Sequence, residues 1–166
     1  MRNKEPYNTS NEKAQGLKIS DFGTTEEVQQ MANMERFPKS FAEARKILSG
    51  FVGHPLISRN GLSATITKNS IEKILSDTGG SKPLTLKPHL LAAGNLDKLY
   101  SNAIEPWSFE MNPNRNNDGL TGVHRLFAPM SYEGNTAIVK ITVKALKNPK
   151  DGNKIYTIKA LDVHLE

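Results

Sequence analysis

Apolar and polar side chains alternate along the second half of the chain, from about residue 103 onward. Because successive side chains of a strand point to opposite faces of a sheet, this alternation predicts strands that are buried on one face. Polar segments rich in Asn, Gly and Pro interrupt the alternation and are typical of turns. The predicted strands cover residues 104–109, 123–130, 136–146 and 154–163. Together they indicate an antiparallel meander.

The first half of the chain shows helical spacing of apolar residues, with signals that mark where helices begin and end. Thr24 and Ser40 each precede a glutamate by three residues, and this capping-box pattern predicts a helix after each of them. Asn69 is the predicted N-cap of a third helix. Pro88 is suited to the first turn of a fourth helix, which Gly94-Asn95 is expected to break in two.

The dipeptide Asn60-Gly61 lies between two short apolar runs and predicts a hairpin with a type I′ turn, because both residues tolerate positive φ. Helices followed by a meander predict an α+β fold, with N-terminal helices packed on a curved antiparallel sheet of four to five strands. Residues 1–37 are predicted to be an N-terminal extension, flexible over about its first twenty residues and partly helical after them. The folded domain is predicted to cover residues 38–166.

The positive charge of the chain belongs to this predicted domain. The whole chain has 22 Lys and Arg against 17 Asp and Glu, and residues 38–166 hold 17 basic against 11 acidic side chains. Six lysines lie within twenty residues near the C-terminus: Lys140, Lys144, Lys147, Lys150, Lys154 and Lys159. Such a field favours a phosphate or another polyanion, and it is equally compatible with an ordinary solvated, lysine-rich hairpin.

Several classes of function are disfavoured by what the sequence does not contain. The chain has no cysteine, which excludes disulfides and thiolate metal sites. It has no P-loop, dinucleotide-binding, zinc-protease or nucleophile-elbow motif, and its acidic residues after residue 37 are scattered singly. A function without metal or cofactor is expected. No apolar run approaches the ~20 residues of a membrane helix, so no membrane association is expected either.

The predicted strand over residues 136–146 presents one apolar face and one polar face. The polar face carries Lys140, Thr142 and Lys144, while the residues between them are apolar. Arg125 and His124 lie on the preceding predicted strand, and Tyr156 lies on the following one. A surface with these side chains could hold a phosphodiester and stabilise its developing charge without a metal.

Two of the four histidines, His89 and His124, are the candidates for acid–base chemistry. His54 precedes a proline in a turn and His164 lies near the end of the chain, so both are discounted. His89 is predicted at the start of a helix, where the helix dipole favours the neutral imidazole that suits a general base. His124 begins a strand beside Arg125.

From Leu62 onward the sequence resembles a known family. The resemblance rests on Pro88-His89-Leu90-Leu91, on His124-Arg125-Leu126-Phe127-Ala128-Pro129, on Ala137-Ile138-Val139-Lys140-Ile141-Thr142-Val143-Lys144 and on Lys154-Ile155-Tyr156-Thr157-Ile158. These segments are similar to the nuclease-like domains of phage and mobile-element polyvalent proteins, in the superfamily that joins barnase, EndoU, the colicin tRNases and RelE toxins. With the helix and hairpin upstream, the resemblance covers about residues 40–166.

The resemblance implies a metal-independent endoribonuclease. Helices would pack on a curved antiparallel sheet, and RNA would bind on the exposed sheet face. The ribose 2′-hydroxyl would attack the adjacent phosphate and leave a 2′,3′-cyclic phosphate. By residue match, the resemblance implies catalytic roles for His89, Lys144 and Thr142. Arg125, His124, Lys140 and Tyr156 are the expected substrate-binding residues.

Two other hypotheses stay open at this point. The chain could be a non-catalytic module that binds nucleic acid or protein within a phage or mobile-element polyvalent protein, or a scaffold whose basic face is incidental. As a toxin or effector, it is expected to act on RNA, tRNA among the options, and to be held in check by an acidic immunity or antitoxin protein. It is expected in the cytoplasm of a bacterial or phage-infected cell, or delivered into a target cell by other machinery.

Overall fold

The second half of the chain forms an antiparallel sheet whose strands follow one another in chain order. The computed structural model describes residues 16–76, 83–107, 110–111, 120–147 and 154–165. Within these residues the sheet has four strands: β3 (Glu110–Met111), β4 (Leu120–Tyr132), β5 (Asn135–Lys147) and β6 (Lys154–Leu165). Helices followed by this sheet confirm the predicted α+β fold class.

The first half of the chain is mainly helical. The described residues form α1 (Thr25–Ala32), α2 (Phe41–Ser49), α3 (Lys68–Ser76), α4 (Pro83–Gly94) and α5 (Leu96–Asn102), with a 3-10 turn at Ile19–Phe22. A small antiparallel pair, β1 (Leu56–Ile57) and β2 (Ser63–Ala64), lies between α2 and α3. The hydroxyl of Thr24 accepts a hydrogen bond from the backbone N–H of Glu27, which confirms the predicted start of α1. The Ser40 hydroxyl caps α2 in the same way.

Two predicted helix starts were wrong by a few residues. Thr67, rather than Asn69, caps α3: its hydroxyl accepts from the backbone N–H of Ser70, and the Ser70 hydroxyl accepts from the N–H of Thr67. The fourth helix begins at Pro83, so Pro88 lies inside it. A proline at the first helical position loses no hydrogen bond, and Pro83 fills that position. The predicted break at Gly94-Asn95 is confirmed, since α4 ends at Gly94 and α5 begins at Leu96.

The type I′ turn forms between β4 and β5 and not at Asn60-Gly61. Glu133 and Gly134 both have positive φ, 50° and 82°, and they join the directly paired residues Tyr132 and Asn135. At Asn60-Gly61 only the glycine has positive φ among these two residues. There the connection between β1 and β2 spans residues 58–62, and the Ser58 hydroxyl accepts a hydrogen bond from the N–H of Leu62.

The three long strands contain the predicted ranges 123–130, 136–146 and 154–163. The prediction of a strand over residues 104–109 was wrong for residues 104–107, which are the residues of this range that the structure describes. There Ile104 alone forms a bridge, with Phe127, and regular pairing to β4 resumes at Glu110–Met111. Pro106 has no N–H to donate to a ladder, which accounts for the interruption. The predicted connections over residues 112–119 and 148–153 lie outside the described residues.

The strand register divides the side chains of the sheet between two faces, because residues directly opposite each other in an antiparallel pair share a face. The helix-side face carries the apolar partners Leu126 and Ile141, Ala128 and Val139. They are buried in one core with the apolar side chains of the helices, among them Leu48, Ile74, Leu96 and Leu99. The other face, called here the outer face, carries Arg125 opposite Thr142 and Phe127 opposite Lys140.

Part of the outer face is covered by residues that precede α2. Phe127 and Ile138 of the sheet are fully buried in a second apolar cluster with Leu17, Phe22 and Val28. This cluster lies toward the end of the sheet where the β4–β5 turn is. The predicted flexible leader lies mostly in residues 1–15, outside the described residues, and the division of the chain at residue 37 stays a prediction.

Asn95 holds the segment before α2 against the helical layer. Its side chain is fully buried, and its Oδ1 accepts hydrogen bonds from the backbone N–H groups of Glu35 and Arg36 at 3.0 Å. Its Nδ2 donates to the carbonyls of Arg36 and Leu91, both at 2.8 Å. Arg36 in turn makes two hydrogen bonds with the Asp97 carboxylate. Burial alone would raise the pKa of Asp97, but the hydrogen bonds from Arg36 and from the Lys98 backbone lower it.

Replacing Asn95 with Ala is expected to lower the free energy of unfolding by about 3 kcal/mol, since each buried polar group left unpaired costs roughly 1–3 kcal/mol. Urea denaturation followed by circular dichroism measures the change. Asn102→Ala is the matched control, because the Asn102 side chain donates to the Lys98 carbonyl within its own helix. An Asn95→Ala variant as stable as the wild type would contradict this role.

Candidate functional site

Three of the predicted site residues occupy adjacent positions on the outer face. Arg125 lies directly opposite Thr142, and Lys144 lies two residues further along β5, on the same face as Thr142. Directly opposed side chains have Cβ atoms about 5 Å apart, so these groups can contact one ligand. Thr142, Lys144 and Arg125 are all half-buried. We call Arg125, Thr142 and Lys144 the outer-face cluster.

Lys140 shares the outer face but is less available to a ligand. It is 8% exposed, and its Nζ lies 3.4 Å from a carboxylate oxygen of Asp162, the residue opposite it on β6. The ion pair neutralises much of its charge. The cationic members of the outer-face cluster are Arg125 and Lys144, and the ion pair with Asp162 reduces what Lys140 adds to their charge.

His124 and Tyr156 lie on the helix-side face. They are opposite Val143 and Ala145, whose side chains alternate with those of Thr142 and Lys144. The rings of His124 and Tyr156 contact each other edge to face, with 5.6 Å between their centroids. The sheet thus separates these two residues from the outer-face cluster, so the seven predicted residues do not form a single surface.

Glu105 is the partner of His124, and sequence reasoning did not identify it. The Nδ1 atom of His124 lies 2.6 Å from a carboxylate oxygen of Glu105, and both side chains are largely buried. The bridge between Ile104 and Phe127 places Glu105 beside this part of β4. A carboxylate on one imidazole nitrogen orients the ring and leaves the other nitrogen for proton transfer. Burial and the nearby Glu105 charge raise the pKa of Tyr100.

His89 lies in the interior, apart from the strand residues. It is 3% exposed, and its Nε2 donates a hydrogen bond to the carbonyl oxygen of Ile74 at 2.6 Å. Ile74 belongs to the last turn of α3, whose carbonyls have no partner within the helix. Because α4 begins at Pro83, His89 lies inside the helix, and the prediction that His89 is at a helix start was wrong. This geometry favours a structural role, and the catalytic role of His89 stays a prediction.

The described part of the chain contains no group of three or more His, Cys, Asp or Glu side chains placed to hold a metal ion.

None of the helices formed by the described residues is both long enough and apolar enough to cross a membrane.

The geometry defines a class of protein: an α+β domain with a cationic cluster on one face of an antiparallel sheet and a buried carboxylate–imidazole pair on the other. Residues 38–156 match the model of the family described as large polyvalent protein-associated domain 3, and the chain belongs to this family. The expected link to polyvalent proteins is thereby confirmed. No curated protein and no solved structure matches the chain.

His89→Ala is expected to lower the free energy of unfolding by about 2–4 kcal/mol, because it opens a cavity and leaves a buried carbonyl unpaired. Chemical denaturation measures the loss. His54→Ala is the control: His54 is exposed in a loop, and its removal is expected to change stability by less than about 0.5 kcal/mol. Equal stabilities of the two variants would argue against a structural role for His89.

Proposed function

We propose that the chain binds RNA at the outer-face cluster and cleaves it without a metal ion. The observation that carries this proposal is the adjacency of Arg125, Thr142 and Lys144 on one sheet face. Two cations and a hydroxyl at neighbouring positions can hold a phosphodiester and oppose the negative charge that develops during its cleavage. The resemblance to ribonucleases of the barnase, EndoU, colicin and RelE superfamily supports the same chemistry.

In the proposed reaction, the ribose 2′-hydroxyl attacks the adjacent phosphorus and the bond from phosphorus to the 5′ oxygen breaks. The guanidinium of Arg125 pairs with the non-bridging phosphate oxygens. Thr142 donates a hydrogen bond to the same group, and Lys144 donates a proton to the leaving 5′ oxygen. The 2′-hydroxyl proton passes to water. The products are a 2′,3′-cyclic phosphate and a 5′-hydroxyl.

A second candidate function is RNA binding without cleavage. The observation that favours it is the placement of the histidines: His89 is buried against α3, and His124 lies on the helix-side face with Glu105. A cluster with cations but no imidazole is sufficient for salt-dependent binding to phosphates.

In either case an acidic inhibitor protein would find complementary charge at this cluster, which is where we propose it would bind.

The test of cleavage is incubation of the full chain with total RNA in EDTA, followed by gel analysis and by identification of the product ends. We expect cleavage with 2′,3′-cyclic phosphate ends. Arg125→Ala and Lys144→Ala are each expected to lower the cleavage rate by about 100- to 1000-fold, the usual effect of removing one charge-stabilising donor. Lys147→Ala is the control, because Lys147 is exposed at the end of the same strand.

Three outcomes separate the candidates. Equal rates for the wild type and both cluster variants would show that the activity does not reside at this cluster. Intact RNA, together with binding that weakens steeply as salt is raised, would support the non-catalytic function. Cleavage that is lost in a folded His89→Gln variant would restore His89 to the catalytic set, whereas we expect this variant to retain activity.

A further inference from the structure

The pairing of β5 with β6 is interrupted beside the outer-face cluster. Thr142 pairs with Ala160, whereas the next residue, Val143, pairs with Ile158. Lys159 is therefore the extra residue of a β-bulge. Bulges redirect a side chain at the cost of a local break in the ladder, and they are frequent beside functional sites.

The bulge places Lys159 near two other lysines on different elements. Lys144 pairs with Thr157, two residues before Lys159 on β6. Lys73 belongs to α3, which packs against β6. Burial, together with the charges of Lys73 and Lys144, lowers the pKa of Lys159. Among the described residues, no carboxylate forms a salt bridge with any of these three lysines.

Lys73 and Lys144 each repel the Lys159 ammonium group, and an anion that binds beside Lys159 would offset this repulsion. Lys159 is half-buried and Lys73 is exposed, so solvent reaches the group. An anion-binding role accounts for both the bulge and the choice of residue.

We propose that Lys159, with Lys73, binds a second backbone phosphate of the RNA strand whose first phosphate lies at the outer-face cluster beside it, which includes Lys144. This inference rests on the proposed function for the identity of the ligand. Arg125 on β4 and Lys159 on β6 are separated by two strand spacings, about 10 Å. A nucleic-acid strand offers more than one phosphate over such a length. The bound strand would cross β4, β5 and β6 and reach α3 at the sheet edge.

Fluorescence anisotropy with a labelled 2′-O-methyl RNA oligonucleotide tests the proposal, since this probe lacks the attacking hydroxyl and stays intact. Binding to the full chain is measured at several salt concentrations. Lys159→Gln is expected to weaken binding about fivefold to tenfold and to reduce the slope of log affinity against log salt by about 0.7, the contribution of one phosphate contact in a single strand. Lys159→Arg is expected to restore both, and Lys147→Gln is expected to change neither.

Failure of this inference differs from failure of the proposed function. Wild-type protein that does not bind the oligonucleotide overturns both. Wild-type binding whose salt slope is unchanged by Lys159→Gln overturns the second phosphate position alone and leaves the outer-face cluster in place. Binding of polyglutamate that Lys159→Gln weakens, with RNA binding unaffected, overturns the assignment to RNA in favour of an acidic protein partner.

Discussion

The register of β4, β5 and β6 is the constraint on which the candidate site depends. Side chains alternate between faces, so a slip of one residue in β5 would carry Thr142 and Lys144 into the core and bring Val143 to the outer face. The two-residue turn at Glu133-Gly134 sets the register, because it directly joins Tyr132 to its partner Asn135. From this turn the pairing runs unbroken to Arg125 and Thr142. A local backbone preference thus positions a cluster that lies eight to ten residues from the turn along β4 and β5.

The outer face has two parts with different chemistry. Toward the β4–β5 turn, Phe127 and Ile138 are buried under Leu17, Phe22 and Val28. Further along the strands, the same face carries Arg125, Thr142 and Lys144. The apolar part is covered by residues that precede the family match, which begins at residue 38. Apolar side chains on this face require cover, whereas Arg125 and Lys144 are only half-buried.

Some of the failed predictions concern a local signal that occurs at more than one place in the chain. Both Pro83 and Pro88 can stand in a first helical turn, and the helix begins at the earlier one. Asn60-Gly61 has the stronger type I′ sequence, but the turn forms at Glu133-Gly134, where two long strands must meet without added residues. The strands that flank Asn60-Gly61 pair over only two residues each and are joined by five residues, 58–62, so no two-residue turn is required there.

The sequence by itself determined the α+β class, the positions of the three long strands and the side-chain alternation within each strand, because these depend on neighbours along the chain. Only the tertiary structure decided which residues of different strands and helices face each other. It placed Arg125 with Thr142 and His124 with Glu105 on different faces, and it buried His89 against Ile74. These contacts join residues that are 15 or more positions apart. Strand pairing and helix packing create these contacts, and neither can be read from the periodicity of apolar residues or from motif spacing.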